Sequence, residues 1–160
     1  MLPGIRAMNH WLMKSEPSTF GVEHLAKRPG RRAAWDGVRN YTVRNMLRDQ
    51  MKKGDLAFFY HSSCEVPGIY GIVKIVREGY PDPTAFERGN DHYDPGSDPN
   101  NPRWYMVDVA LVRRLRRPIA LTTLQANAKK LGELLILKRG NRLSIVPLSE
   151  AQWNAVLALE

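Results

Sequence analysis

Apolar and polar positions alternate or recur with enough regularity to divide most of the chain into elements. "HWLMKS" (10–15) reads as a short strand that Pro17 ends, and Ser18 or Thr19 is placed to cap a helix running to about Lys27. "RPGRR" reads as a turn or loop. Residues 41–53 place Val43, Met46, Leu47 and Met51 on one helical face, with Arg44, Arg48, Lys52 and Lys53 towards water. Gly54-Asp55 is a turn signal. "LAFFYHS" (56–62) and "GIYGIVKIVRE" (68–78) are apolar, aromatic and β-branched, and the short loop between them predicts an antiparallel pair. Residues 79–103 are rich in Pro, Gly and Asp and predict a long loop with one helical turn near Thr84–Arg88.

"RWYMVDVALVRRLRR" (103–117) predicts a long strand, and "NRLSIVP" (141–147) a last short one. Between them Thr122-x-x-Gln125 has the spacing of a capping box opening a helix. Ser149-x-x-Gln152 repeats that spacing before a helix with Trp153, Val156 and Leu157 on one face. Strand pairs meeting short helices favour an α+β domain over alternating βαβ units. No repeat, low-complexity tract or interdomain linker is present. Met8 offers an alternative start, so residues 1–7 are expected to be a tail ahead of a single domain spanning 8–160.

Composition narrows the class. A chain of 160 residues can bury a core without a disulfide or metal staple. One cysteine, Cys64, precludes an intrachain disulfide; this fits a reducing compartment, and a cytoplasmic location is expected. No run is long and apolar enough for a membrane span. Net charge is +8, unevenly placed: residues 1–60 carry 11 basic and 5 acidic groups, 61–110 carry 4 and 8, and 111–160 carry 9 and 3. Two basic segments around an acidic middle are either ordinary solvated faces or a surface for a polyanion, most often nucleic acid.

Several constellations invite chemistry. Cys64 lies three residues after His61, but a nucleophile pair also needs contact and an orienting third group. "NDHYDPGSDP" (90–99) offers Asp91, His92, Asp94 and Asp98 to a hard cation, yet its spacing misses the calcium-loop pattern and suits turns. Gly68-x-x-Gly71 sits inside a strand, where close packing explains it better than phosphate binding. Asp108 shares a strand face with Trp104, Met106, Ala110 and Val112. An acid there needs a partner, either Lys14 or an arginine in a salt bridge, or a polar contact at a pocket. Trp11, Trp104 and Trp153 fit core positions. Trp35, at an element junction among polar residues, is either a lid on the core or a stacking platform.

"WLMKSEP" (11–17), "WDGVRNY" (35–41), "GDLAFFYHS" (54–62), "YPDPTAF" (80–86), "YDP" (93–95), "WYMVDV" (104–109) and "RLSIVP" (142–147) together resemble the EVE-domain family, in the family's order and over nearly the whole chain. The resemblance implies a PUA-like fold: a curved, mostly antiparallel sheet or pseudo-barrel with short helices around it. It also implies a module that binds a modified base in nucleic acid, a flipped-out modified cytosine such as 5-methylcytosine in DNA being favoured over modified RNA. No catalysis, cofactor or metal is implied. The implied pocket is walled by Lys14, Ser15 and Glu16, by Trp35 and Gly37, Val38, Arg39, Asn40 and Tyr41, by Tyr60, His61 and Ser62, and by Tyr80, Pro81 and Asp82.

In that pocket Trp35 would stack on the base, with Tyr60 or Tyr41 as second wall. Ser15, Glu16, Asn40 and Ser62 would meet its edge, while Lys14, Arg39 and Arg31–Arg32 would hold phosphate. Two rivals remain at this level. One is an enzyme acting on a modified nucleoside, with Glu16, His61 or Asp108 as acid or base. The other is a protein-interaction module using the basic surface.

Overall fold

The computed structural model describes residues 7–160, so all but the last residue of the expected tail 1–7 lies outside the described residues. Its centre is a six-stranded mixed sheet in the order β2-β5-β4-β3-β1-β6. The strands are β1 (His10–Ser15), β2 (Arg32–Ala34), β3 (Leu56–His61), β4 (Gly68–Pro81), β5 (Tyr105–Ala120) and β6 (Ile145–Leu148). All neighbours are antiparallel except β1 and β3. The sheet is open, with β2 and β6 as its edges. Register shifts between β4 and β5, and one between β3 and β4, are bulges that strengthen the local twist and bend the long strands.

Side chains alternate across this sheet and fill two separate cores. Trp11, Met13, Phe59, Val73, Val107 and Val109 pack on one face with Trp35, Val43 and Leu47. Leu12, Phe58, Tyr60, Ile69 and Ile72 pack on the other with Leu124, Leu131 and Trp153. Being buried on both faces, β3 reads as a continuous apolar run rather than an alternating one. On the second face the Trp153 indole lies 3.8 Å from the Phe58 ring, centroid to centroid and nearly parallel. The buried Asp55 carboxylate fastens the edge of the first core, accepting from the Asn9 and Lys52 N–H groups and from Trp11 Nε1.

The helices are shorter than the periodicity suggests. The expected helix to Lys27 is two, α1 (Pro17–Phe20) and α2 (Val22–Ala26), broken at Gly21, whose N–H donates to His24 Nδ1. Neither Ser18 nor Thr19 is the cap. The expected helix 41–53 is α3 (Tyr41–Asn45) followed by a π turn over Met46–Gln50. The Thr122 capping box does not form: α4 (Leu121–Ala126) starts two residues earlier than a Thr122 cap requires, after Ala120 and without a side-chain cap, and α5 (Ala128–Leu131) follows a break at Asn127. The Ser149 box does form, opening α6 (Glu150–Leu157) through Gln152 N–H to Ser149 Oγ and Ser149 N–H to Gln152 Oε1.

Strand ends also moved. β4 runs on to Pro81, β5 spans 105–120, β6 starts only at Ile145, and the single turn in the long loop is a 3-10 turn at Pro83–Phe86. Gly68 is explained by close strand packing, since a side chain there would overlap the Ile119 carbonyl. Gly79 is equally tight: a methyl would overlap the Leu47 carbonyl oxygen and lie 2.9 Å from Arg48 Cα. Backbone cannot swing aside as a side chain can. Gly79→Ala is therefore expected to destabilise the fold by about 1–3 kcal/mol, read as a lower urea midpoint with an unchanged slope.

Candidate functional site

A cleft of about 870 Å³ opens where β1 ends beside the segment joining β2 to α3. The end of β1 contributes Lys14, Ser15 and Glu16, and α1 adds Thr19 and Phe20. Arg28 stands at the rim, residues 34–39 form one wall, residues 89–92 face them, and Ser144 closes the side towards β6.

Trp35 takes both roles that its position allowed. Its N–H donates to the Val107 carbonyl (2.8 Å), and its indole meets Phe59 edge to face at 5.3 Å and Phe20 at 6.3 Å. It is only 7% exposed, so it is first a lid on the core and presents a margin to the cleft. Phe20, half-buried, is the more accessible aromatic surface.

The wall after Trp35 is held from behind by Asp82, which is fully buried. Gly37, at φ +80°, donates its N–H to Asp82 Oδ2 (2.8 Å). A side chain at Gly37 would run into the His92 imidazole, within 2.6 Å of its Cε1 and Nε2, so only glycine lets the two segments touch. Arg39 makes five hydrogen bonds: Nε and Nη2 to the His92 carbonyl, Nη1 to the Val38 carbonyl and Asp82 Oδ2, and Nη2 to Thr84 Oγ1. Its guanidinium also covers Trp104 at 5.5 Å. Arg39 lines the cleft, but its donors are spent on scaffolding rather than left for phosphate.

Electrostatics follow from this packing. Burial alone would push Asp82 up; hydrogen bonds from Thr84, from the Gly37 N–H and from Arg39 outweigh it and hold the carboxyl below the usual range. Asp36, on the cleft wall, is pushed up, first by desolvation and then by the Asp82 charge behind it. Burial lowers the Lys14 ammonium. Ser15 Oγ donates to the Phe20 carbonyl (2.6 Å), and Ser62 N–H donates to the Ser15 carbonyl, locking the end of β1.

Of the residues named from the sequence, the cleft gathers Lys14, Ser15, Glu16, Trp35, Gly37, Val38 and Arg39. The others lie elsewhere. Asn40 caps α3, accepting from Val43 N–H (3.0 Å). Tyr41 points away and packs on Trp104 at 4.9 Å, with Arg44 over its ring. Tyr60 belongs to the core on the opposite sheet face, where burial pushes its hydroxyl up to about 12. Strand alternation explains this: Phe59 and Tyr60 are adjacent and must point opposite ways.

His61 accepts from Val22 N–H and stacks on Tyr70 at 4.1 Å, and burial lowers its pKa, so it serves the junction of β3 and α2. Ser62 lies just outside. Tyr80 and Pro81 pair with the start of β5 beyond the cleft. The partner of Asp108 is neither Lys14 nor an arginine but the Tyr80 hydroxyl, pushed up to about 12 by burial and by that bond. Sequence reasoning missed Phe20, Asp36 and Asn90 and considered Asp91 and His92 only as metal ligands. Among the described residues no group of three or more His, Cys, Asp or Glu could hold a metal ion. "NDH" (90–92) lies three residues beyond the "YPDPTAF" block (80–86), and that proximity was the available signal.

A family model for the EVE domain matches residues 9–159. The chain belongs to the EVE-domain family. Thymocyte nuclear protein 1 of Homo sapiens is 48% identical over 167 residues, covering 95% of this chain and 74% of that protein. A crystal structure of the human THYN1 protein in complex with 5-methylcytosine-containing DNA is similar at 47% identity. It has a TM-score of 0.88 and covers 94% of this chain and 96% of that one. A Pseudomonas putida protein of solved structure is 45% identical with the same TM-score, over 94% and 98% of the two chains. This EVE domain therefore has the expected PUA-like fold, in its open-sheet form.

Asp82 gives the EVE domain a pH signature. Its carboxyl is held below the ordinary value of 3.8, so its contribution is fully present above that value and is lost as pH falls through the folded-state value. Asp82→Asn leaves Arg39 without its charge partner and is expected to cost about 3–5 kcal/mol at pH 7. Urea titrations of both proteins should show that gap shrinking as pH is taken below 3.8.

Proposed function

We propose that this EVE domain is a non-catalytic reader of DNA that takes a flipped-out modified cytosine into the cleft beside Trp35. The observation carrying this reading is the composition of that cleft: an aromatic back wall of Phe20 and Trp35, carboxylates of Glu16 and Asp36, and a cationic margin of Lys14 and Arg28. Its volume of about 870 Å³ admits a nucleoside with its sugar. The 47% identical human protein solved with 5-methylcytosine-containing DNA supports DNA over RNA as the ligand. Its relative's name contains the word nuclear, which supports a place of action defined by DNA rather than by the cytoplasm.

The chemistry is that of binding. Extruding a base costs a few kcal/mol, offset by stacking of roughly 1–3 kcal/mol and by contacts to the base edge. A carboxylate is the natural acceptor for the cytosine N4 amino group. Asp36 is at hand for that role, and Ser15 Oγ, already donating to Phe20, keeps its lone pairs as acceptors. Lys14 and Arg28 would meet the flanking phosphates, a term that weakens steeply with salt. A methyl adds only about 0.8 kcal/mol, about fourfold in affinity, so selectivity rests on close fit. A non-catalytic reading is supported by the use of His61, Asp82 and Arg39 as framework rather than as free acid or base.

Trp35→Ala is a poor probe, because it also removes core packing worth about 3–5 kcal/mol. Asp36→Ala, at an exposed position, is the sharper one. It is expected to weaken binding to a duplex carrying one 5-methylcytosine by about tenfold or more at fixed salt, with the urea midpoint unchanged. Wild-type affinity and selectivity in that variant would remove the base from this cleft. Chemical change in a modified nucleoside incubated with the protein would replace the reader with an enzyme.

A further inference from the structure

A second basic cavity lies away from the cleft. It measures about 330 Å³ and is lined by Arg113, Arg116, Arg117 and Glu160. Glu160 organises it. Its carboxylate grips Arg113 in a two-pronged pair, 2.8 Å on each prong, and also accepts the Arg116 N–H at 2.7 Å. Those bonds, the Arg113 bond foremost, hold Glu160 down to about 2, so the pair stays fixed at any working pH. The next arginine, Arg114, faces away and is gripped by Glu23. Arg116 and Arg117 are exposed, and no described residue forms an ion pair with either side chain. The cavity thus carries two guanidiniums without an ion pair among the described residues beside one held in place by the Glu160 side-chain carboxylate.

Strand pairing places this cavity along the sheet edge from which the Trp35 wall of the cleft departs, with Glu160, just after α6, bringing it to the opposite face of the sheet. β2 covers β5 only at Asp108–Ala110, with Arg32 opposite Ala110 and Ala34 opposite Asp108. Beyond Ala110 the outer edge of β5 has no strand neighbour, and Arg113–Arg117 follow there. Walking along this edge from Trp35, whose N–H bonds Val107, one passes Arg32 and Arg31 and then reaches Arg113, Arg116 and Arg117. At about 3.3 Å per strand residue, and less where the bulges shorten β5, Arg113 lies at most about 20 Å and Arg117 at most about 33 Å from the Val107 end of the cleft.

We infer that the Arg113–Arg116–Arg117 cavity is a second phosphate site, which holds the DNA backbone up to about one helical turn from the base bound in the cleft. Guanidinium groups match phosphate oxygens with paired N–H donors, and the cavity has room for a phosphodiester with part of its hydration. One turn of B-form DNA spans about 34 Å, so a duplex seated at the cleft and running along the arginine edge brings a phosphate to this place. The inference rests on the DNA reading above but not on the choice of modified base. The competing role for edge arginines is to repel other sheet edges.

The test is Arg116→Ala/Arg117→Ala on two duplexes, each with one central 5-methylcytosine. One is about 8 base pairs long, too short to reach the cavity, and the other about 24, long enough on either side. On the long duplex the double variant is expected to bind about tenfold more weakly at low salt. The slope of log affinity against log salt should fall by about 1.8, the two lost phosphate contacts. On the short duplex affinity and slope should match wild type, as should the urea midpoint. An unchanged slope on the long duplex overturns the second site, and so does an equal loss on both lengths. If the protein does not distinguish methylated from plain DNA, the base reading fails. The length-dependent loss is then still measurable on plain duplex and decides the second site separately.

Discussion

The buried Asp82 carboxylate is the constraint on which the cleft depends. It sits just past the end of β4 and reaches across to the segment between β2 and α3, taking the Gly37 N–H and the Arg39 guanidinium. Through Arg39 the same carboxylate fixes the His92 carbonyl, so three stretches distant in sequence meet at one charge. The charge is affordable because every contact is a donor: two from Thr84, one from a main-chain N–H, one from arginine. It has a second effect, for the field of Asp82 helps to push the neighbouring Asp36 up. The scaffold and the chemistry of the wall are thus set by one group.

The sheet prepares the place where this happens. With both faces of β3 and β1 packed in separate cores, polar groups are driven to strand ends, and the end of β1 delivers Lys14, Ser15 and Glu16 together. The bulges between β4 and β5 let long strands bend around the aromatic core that carries Trp35. Trp35 is consequently anchored by Phe59 and Phe20 before any ligand arrives, which makes the back wall rigid.

Much of this was legible in the chain and the remainder had physical reasons not to be. β1, β3, β4 and β5 stood out because buried strands leave apolar runs, and the β3–β4 pairing followed from a short loop. The Ser149 cap formed as its spacing promised, whereas the Thr122 spacing lost to a helix that starts at Leu121. Adjacent polar residues at a strand end were read as one wall, yet strand alternation sends Tyr60 to the far core and leaves His61 bonding Val22 N–H. Arg39 looked like a phosphate hand because its sequence neighbours are basic; only the fold reveals that Asp82, Thr84 and His92 consume it. The partner of Asp108 was hidden for a similar reason, since Tyr80 reaches it through pairing of β4 with β5 across a bulge.

One feature of the topology bears on how the molecule is made. The first strand, β1, is not at an edge: it lies between β3 and β6, the last strand of the chain, with His10 opposite Leu148. Until Ile145–Leu148 has left the ribosome, one side of β1 has no partner, and the core around Trp153 cannot close. Assembly must therefore wait for this segment, and its key contact joins His10 to Leu148, far apart in sequence. Such long-range closure belongs to the slow end of domain folding. During synthesis the nascent protein would carry an apolar strand with an unpaired side, the kind of surface that promotes aggregation.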